Sequence, residues 1–456
     1  MACNEKCPFC NVPVEDYEVR TPPLSDLEAL IDQWTENGEK TLTISGGEPT
    51  LYKKKLLHLV ERAKSGGMHF IEVQTNATLI DQDFAKELRA SGVTSAFVSL
   101  LSHIPELHDE LAGMEGAFEL CLRGIDALLD HNIRVALNPV TATQTQELIG
   151  DYIQFVADRL PRVCSVSLSA VQPHGRAAHN LHLLPDYEVL RKELPDAMSR
   201  AKEHNIELLN PYCGLPLCIG WSDDLEHCVE VFEAERGGFN TPGLRNLGNK
   251  TQGQPCIRCS LRTRCGGAWH AYWNVRHGSG LEAPHTVPFP WDTERTGQTN
   301  DGLMVVQGAE GTEKELLNQL RLSQSPNVWL WCRTLEKEKV RELLSTRCTD
   351  IALDTTPSAF LKDRDTMKAV RQLARDVSGW QPQHRILIWL GLRAENPTEI
   401  RLLEKAATLA FALGVSGVRL MGNSSAIAGV AHSVIAESGQ PDCVFTASYV
   451  DWPAKD

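Results

Sequence analysis

Along the first 170 residues, short apolar, β-branched runs alternate with stretches in which apolar positions recur every three or four residues. The strand-like runs are Thr41–Ser45, Phe70–Gln74, Ala96–Leu100, Arg134–Val140 and Val163–Ala170, and helical periodicity fills Leu56–Ala63, Gln82–Ala90 and Phe118–Asp130 between them. Alternation of this length predicts right-handed crossover units on a parallel sheet, hence an α/β fold. Ligands of such sheets collect at the carboxyl ends of strands. Asn76 follows the second run, Ser99 ends the third and Asn138 sits late in the fourth, so these are candidate ligand contacts.

The rhythm returns after residue 302, with strands expected at Leu303–Gln307, Val328–Cys332, Ile351–Asp354, Ile386–Leu392 and Val418–Met421. Its first strand ends in Gln307-Gly-Ala-Glu-Gly311, where the first series has Ser45-Gly-Gly-Glu-Pro49, and later strand ends keep similar spacing. Residues 302–456 therefore read as a C-terminal α/β domain, either a degenerate repeat of the first or an unrelated parallel sheet. The proline-rich run from Pro284 and the polar stretch Asp292–Asp301 read as a linker over 286–301.

Composition narrows the class. The chain has 456 residues, 42% of them hydrophobic, which supplies core for more than one domain. No apolar run approaches membrane-spanning length, and fourteen cysteines without an export signal point to a reducing, cytoplasmic setting and to metal ligation over disulfides. A net charge of −14 favours solubility and disfavours a general nucleic-acid partner.

Chemistry enters with Cys3, Cys7 and Cys10 in the run Cys-Asn-Glu-Lys-Cys-Pro-Phe-Cys. Three thiolates this close can hold three corners of an iron–sulfur cube and leave one iron open; a zinc knuckle or a disulfide staple is the alternative from spacing alone. Downstream, Thr41-Leu-Thr-Ile-Ser-Gly-Gly-Glu-Pro-Thr50 reads as a strand running into a glycine turn, where Gly46 and Gly47 allow close backbone approach, Glu48 offers a carboxylate to an ammonium group and Pro49 stops the strand.

The C-x3-C-x2-C spacing, with an aromatic before the last cysteine, followed by Gly-Gly-Glu-Pro at a strand end, resembles the radical S-adenosylmethionine (radical SAM) enzymes. That resemblance implies a partial (β/α)6 barrel over 1–182. It implies a [4Fe–4S] cluster on Cys3, Cys7 and Cys10 whose open iron chelates SAM, with the Gly-Gly-Glu-Pro strand end holding the SAM amino group. Asn76, Ser99 and Asn138 then fall where relatives contact the SAM methionine and ribose. A strand precedes the cysteine loop in the family, whereas only Met1 and Ala2 do here, so a longer native N-terminus is expected.

Six further cysteines, Cys213, Cys218, Cys228, Cys256, Cys259 and Cys265, lie among glycine, proline and charged residues that build little core. The C-x2-C-x5-C tail resembles the SPASM and twitch extensions of radical SAM enzymes, which hold auxiliary [4Fe–4S] clusters, and sets a module over 183–285. Pro173, Gly175 and Arg176 lead into it as they do in SPASM relatives. The fourth SPASM cysteine position is Trp269, so either two three-cysteine clusters with a histidine such as His227, His270 or His277 completing a site, or one cluster on four cysteines, fits; a zinc ribbon is the bland reading.

The resemblance implies reductive cleavage of SAM to a 5′-deoxyadenosyl radical, with electrons from a flavodoxin- or ferredoxin-like donor, and hydrogen abstraction from a substrate. Family frequency favours a peptide or protein substrate. A small-molecule dehydrogenase or rearrangement enzyme is the alternative, and an iron–sulfur electron-transfer or scaffold protein with a vestigial SAM site is the non-enzymatic one.

Overall fold

The structure, a computed structural model, describes residues 2–13, 15, 22–232, 250–287, 297–298, 303–307, 313–322, 327–333, 335, 343, 346, 348–376, 386–439 and 443–448. Contacts divide the chain into two compact units, Met1–Asn249 with Ala268–Leu281, and Lys250–Gly267 with Glu282–Asp456. The six later cysteines are thereby split: Cys213, Cys218 and Cys228 fold with the first unit, Cys256, Cys259 and Cys265 with the second. Most of the linker expected over 286–301 lies outside the described residues.

In the first unit, β1 (Thr41–Ile44), β2 (Phe70–Thr75), β3 (Ser95–Val98), β4 (Arg134–Leu137), β6 (Ser165–Ser167) and β8 (Glu207–Leu209) form a parallel sheet in that order. This is the expected mixed α/β architecture with a partial barrel. The runs expected at Arg134–Val140 and Val163–Ala170 are each broken, because Pro139 lacks an N–H for the ladder and the chain re-pairs as β5 (Val140–Thr141) with β7 (Ser169–Ala170). The sheet takes its sixth strand, β8, from beyond residue 182, after a long helix.

The helices are α1 (Leu24–Glu36), α2 (Lys53–Ser65), α3 (Gln82–Ser91), α4 (Pro105–Ala112), α5 (Ala117–Asp130), α6 (Ile149–Arg159), α7 (Tyr187–Glu203) and α8 (His270–Arg276). Local chemistry starts them where expected. The Asp81 carboxylate accepts from the Phe84 N–H at 2.8 Å to cap α3, and the Asp109 carboxylate accepts from Gly116 and Phe118 N–H at 2.6 and 2.8 Å at the start of α5. Against α7, the rings of Tyr187 and Tyr272 stack at 3.7 Å, which fixes α8.

The second unit contains β9 (Lys250–Thr251) and a seven-stranded sheet in strictly sequential order: β11 (Gly297–Gln298), β12 (Leu303–Gln307), β13 (Asn327–Cys332), β14 (Asp350–Thr355), β15 (Leu387–Arg393), β16 (Gly417–Gly422) and β17 (Val444–Ser448). β10 (Ala268–Trp269) belongs to the first unit. From β12 onward every pairing is parallel. Helices α9 (Glu313–Leu322), α10 (Pro357–Lys362), α11 (Arg364–Asp376), α12 (Pro397–Leu413) and α13 (Ser424–Ser438) follow the strands. Core residues of these helices, among them Val370, Leu403 and Val434, meet Leu330, Leu353, Leu390 and Leu420 on one sheet face. The opposite face carries Trp329, Ala352, Leu387 and Trp389, against which Val287 and Ile257 pack. The second sheet is thus parallel from β12 to β17, with β11 antiparallel at its edge. No described helix is long and apolar enough to cross a membrane.

Candidate active site

The two motifs met in the sequence come together at the carboxyl ends of β1 and β2. Gly46 and Gly47 have φ of 101° and 54°, the left-handed region that favours glycine, and they turn the chain so that the Glu48 N–H donates to the Ala2 carbonyl at 2.7 Å. A Cβ on Gly47 would stand 2.2 Å from that oxygen. The glycine turn is therefore the seat on which the cysteine loop rests.

The loop is held at several further points. Lys6 N–H donates to the Ala112 carbonyl at 2.9 Å, and Asn4 accepts from Asn76 Nδ2 at 3.0 Å while donating to Thr78 Oγ1 at 2.8 Å. From the far side, Arg176 donates its backbone N–H to the Cys10 carbonyl at 2.9 Å and its Nη1 to the Cys7 carbonyl at 3.2 Å, while its remaining guanidinium edge grips Glu15. That grip holds the Glu15 carboxyl down at about 2. Asn180 donates to the Pro8 carbonyl at 3.1 Å. The Pro-His-Gly-Arg run, read in the sequence as the entry to an extension, is here a clamp on the cysteine loop. Gly175 is part of it, since a Cβ there would lie 2.5 Å from the Cys10 carbonyl oxygen.

Glu48 is 2% exposed, and its carboxylate accepts from Thr50 N–H at 3.0 Å, Thr50 Oγ1 at 2.5 Å, Thr75 Oγ1 at 2.7 Å and Asn76 N–H at 2.8 Å. Asn76 turns its Oδ1 to Thr78 N–H and Oγ1. These two residues, expected as ligand contacts, tie the ends of β1 and β2 to each other and to Asn4. The Ser99 N–H joins the same edge by donating to the Thr75 carbonyl at 3.1 Å. Asn138 faces a different neighbour: its Oδ1 accepts from Ser169 Oγ at 2.6 Å, and that hydroxyl lies 3.2 Å from Cys213 Sγ.

The three loop thiols fit a cationic cluster on the chemistry of the donor set. Burial raises Cys3 to about 11 and pushes Cys7 higher still, the nearby Glu5 charge adding to both. Such thiols stay protonated until a metal displaces the proton. Between them Glu5, 6% exposed, accepts from Cys7 Sγ at 3.6 Å; burial, then the Glu48 charge, raises it to about 7.

Residues 1–156 match the sequence model of the Radical SAM superfamily. The N-terminal part of this chain is a radical SAM domain. Members of that superfamily use a [4Fe–4S] cluster and SAM, and the matched stretch includes Cys3, Cys7 and Cys10. The chain is 33% identical over 164 residues to "Fe-coproporphyrin III synthase" of Methanosarcina barkeri, covering 36% of this chain and 40% of that protein. It is 28% identical over 183 residues to "AdoMet-dependent heme synthase" of Oleidesulfovibrio alaskensis, covering 39% and 45%. Against "Probable GTP 3',8-cyclase" of Sulfurisphaera tokodaii the match is 25% over 232 residues, covering 48% and 72%. The match spans about half the length, or less, of the first curated relatives. Among solved structures, native anSMEcpe with bound AdoMet and Kp18Cys peptide superposes with a TM-score of 0.44 at 14% identity, over 62% of this chain and 90% of that one; Streptococcus suis SuiB bound to S-adenosylmethionine gives 0.38 at 22%, over 46% and 47%.

The six later cysteines have separate surroundings. The Cys213 carbonyl accepts from Ala170 N–H at 2.9 Å and its sulfur meets Ser169 Oγ at 3.2 Å. Cys228 is buried beside Asn210, whose Nδ2 reaches its sulfur at 3.7 Å. In the second unit, burial raises Cys256 to about 11, with neighbouring Cys259 adding to the shift, and Cys265 Sγ accepts from Gly267 N–H at 3.3 Å. His227 binds Asp224 through Nδ1 at 2.5 Å. Trp269, standing at the fourth SPASM cysteine position, packs edge-on against His174 at 5.3 Å. His108 lies buried on α4 with Nδ1 accepting from Leu101 N–H at 3.2 Å, and Asp109 caps α5.

Proposed function

We propose that the chain is a radical SAM enzyme whose substrate is a small molecule, with a heme-forming tetrapyrrole as the first class to test. The observation that supports the chemistry is the seating of the loop that carries Cys3, Cys7 and Cys10 on the Gly46-Gly47 turn after β1. The cluster and SAM, when bound, supply a 5′-deoxyadenosyl radical able to take hydrogen from an unactivated carbon.

The chain's own residues do the rest. The glycine turn presents backbone to the SAM amino group, and Glu48 acts as a positioning residue that fixes this turn through Thr50, Thr75 and Asn76. Ser99 and Asn138 line the strand ends where the SAM methionine and ribose would lie. Each auxiliary triplet, Cys213, Cys218 and Cys228 or Cys256, Cys259 and Cys265, would hold a further [4Fe–4S] cluster that carries electrons or binds substrate, and a flavodoxin- or ferredoxin-like protein would deliver the first electron. A small molecule is placed ahead of the peptide that the SPASM resemblance implies because the relatives above are named for coproporphyrin, heme and GTP chemistry.

The test is 5′-deoxyadenosine release by the anaerobically reconstituted, reduced full chain in the presence of a cell metabolite extract. Stimulation that survives protease treatment of the extract supports a small molecule; stimulation abolished by protease overturns it in favour of a peptide.

A further inference from the structure

The glycine turn that seats the cysteine loop runs on into a basic, partly apolar stretch of surface. After Glu48 the chain makes the short turn Pro49–Tyr52 and enters α2 through Lys53-Lys54-Lys55, the one run of three consecutive cations in a chain of net charge −14. A helix amino terminus carries partial positive charge, so acidic residues stabilise a first turn and lysines oppose it. The first turn of α2 has three lysines and no acid. Local stability thus argues against this sequence, and such conflicts are expected at functional surfaces.

The neighbours of the lysines do not balance the run. Lys53 Nζ meets Glu87 Oε1 at 2.9 Å and stands 4.6 Å over the Phe84 ring, while Lys55 Nζ donates to the Pro22 carbonyl at 2.6 Å. Lys54 is exposed and, among the described residues, no carboxylate lies within ion-pair distance of it. The acids of α1 that reach α2 meet other cations, Glu28 with His58 at 2.6 Å and Asp32 with Arg62 at 2.5 Å. Apolar surface accompanies the charge: Leu51, Tyr52 and Leu79 are 39%, 40% and 41% exposed. Leu51 and Leu79 stand one residue beyond Thr50 and Thr78, in loops tied together because Glu48 accepts from Thr50 and Asn76, and Asn76 from Thr78. Exposed apolar side chains rimmed by charge are the make-up of a protein docking surface.

We infer that Leu51, Tyr52 and Leu79, with Lys53, Lys54 and Lys55, form the docking surface for an acidic one-electron donor protein. The inference rests on the radical SAM reading above, in which an electron must reach the cluster before SAM is cleaved. One electron leaves the donor's reduced cofactor and reduces the cluster by one, and no bond forms or breaks at the interface. A basic rim on an otherwise acidic molecule steers and orients an acidic partner, and a small apolar centre suits a complex that must part after each transfer. Docking here sets the donor beside the turn that bonds Ala2 and the loop that bonds Asn4, both in the cysteine loop.

The experiment titrates oxidised flavodoxin, and separately a plant-type ferredoxin, into the reconstituted full chain at low and at raised sodium chloride, then compares cluster reduction by the reduced carrier with reduction by sodium dithionite. At least one carrier should bind, with affinity falling as salt rises, and Lys54→Glu should weaken it about tenfold while Lys54→Arg keeps it. Reduction by the carrier should slow in Lys54→Glu, and reduction by dithionite should not change. An acidic residue in that first turn favours the helix, so Lys54→Glu keeps the fold. No salt-sensitive binding of either carrier, equal affinity in Lys54→Glu, or sedimentation showing a Lys54-dependent dimer in which a second copy covers the surface overturns the inference. Binding needs no SAM turnover: a chain that dithionite cannot reduce would count against the cluster reading, while the carrier titration still decides the docking surface.

Discussion

Glu48 and Ala2 are joined by a 2.7 Å backbone hydrogen bond, N–H to carbonyl, that welds the glycine turn after β1 to the first residues of the cysteine loop. The weld needs Gly47, because a Cβ there would press to 2.2 Å of the Ala2 oxygen at a φ of +54°. Gly47→Ala should cost about 1–3 kcal/mol of local strain and displace the loop. Iron bound per chain after reconstitution should fall while the second unit's unfolding is unchanged; full iron loading would show that the loop does not depend on this seat.

Arg176 holds the same loop from the other side. Arg176→Met removes the bond to the Cys7 carbonyl and leaves the backbone bond to Cys10 in place. The exposed pairing with Glu15 contributes little by itself, so global stability should change little. Loss of the cluster chromophore on exposure to a chelator should be several-fold faster than in the wild type, as absorbance at the iron–sulfur band would report.

Acid should destabilise the first unit through His108. Burial lowers this histidine from 6.5 to about 4, and its Nδ1 must stay unprotonated to accept from Leu101. Because the folded value lies below the unfolded one, the unfolded chain binds more protons between these two pH values. The associated stability is complete above about 6.5 and is lost as pH falls toward 4, in total about 3 kcal/mol. Urea unfolding followed at stepped pH should show this slope, reduced in His108→Asn, whose side-chain carbonyl can accept the same N–H without titrating.

In the second unit, Arg262 and Asp350 form a buried pair at 2.7 Å, and the same carboxylate accepts from Thr349 Oγ1 at 2.6 Å and Trp389 Nε1 at 2.8 Å. Arg262 lies between Cys259 and Cys265, so this pair fastens the second cysteine triplet to the start of β14. Arg262→Leu strands a buried carboxylate and should destabilise the unit by about 3–5 kcal/mol. Adding Asp350→Asn should recover part of the loss in a double-mutant cycle of denaturant unfolding.

Much of the architecture could be read from periodicity, because the strands of both sheets are short apolar runs between well-spaced helices. Glu207–Leu209 escaped, since three residues carry no period, and α1 escaped because Ile31 is its only buried residue. The cysteine triplet and glycine turn were legible as local patterns. What the patterns could not show was tertiary pairing. Glu48 and Asn76 read as ligand contacts, and the pattern did not show that their side chains also bind Thr50, Thr75, Thr78 and Asn4, partners scattered over 75 residues of sequence. Arg176 read as the start of an extension, and only the fold brings it to Cys7 and Cys10. Likewise a C-x2-C-x5-C spacing does not reveal that its sulfurs fold with the C-terminal sheet.

The central claim is that Cys3, Cys7 and Cys10 form the SAM-cleaving site. It is tested most directly by measuring 5′-deoxyadenosine from the reduced, iron–sulfur-reconstituted full chain beside its Cys7→Ala variant. The account predicts formation by the wild type and none by Cys7→Ala with the second unit still folded; equal formation by both, or none by a fully loaded wild type, would contradict it.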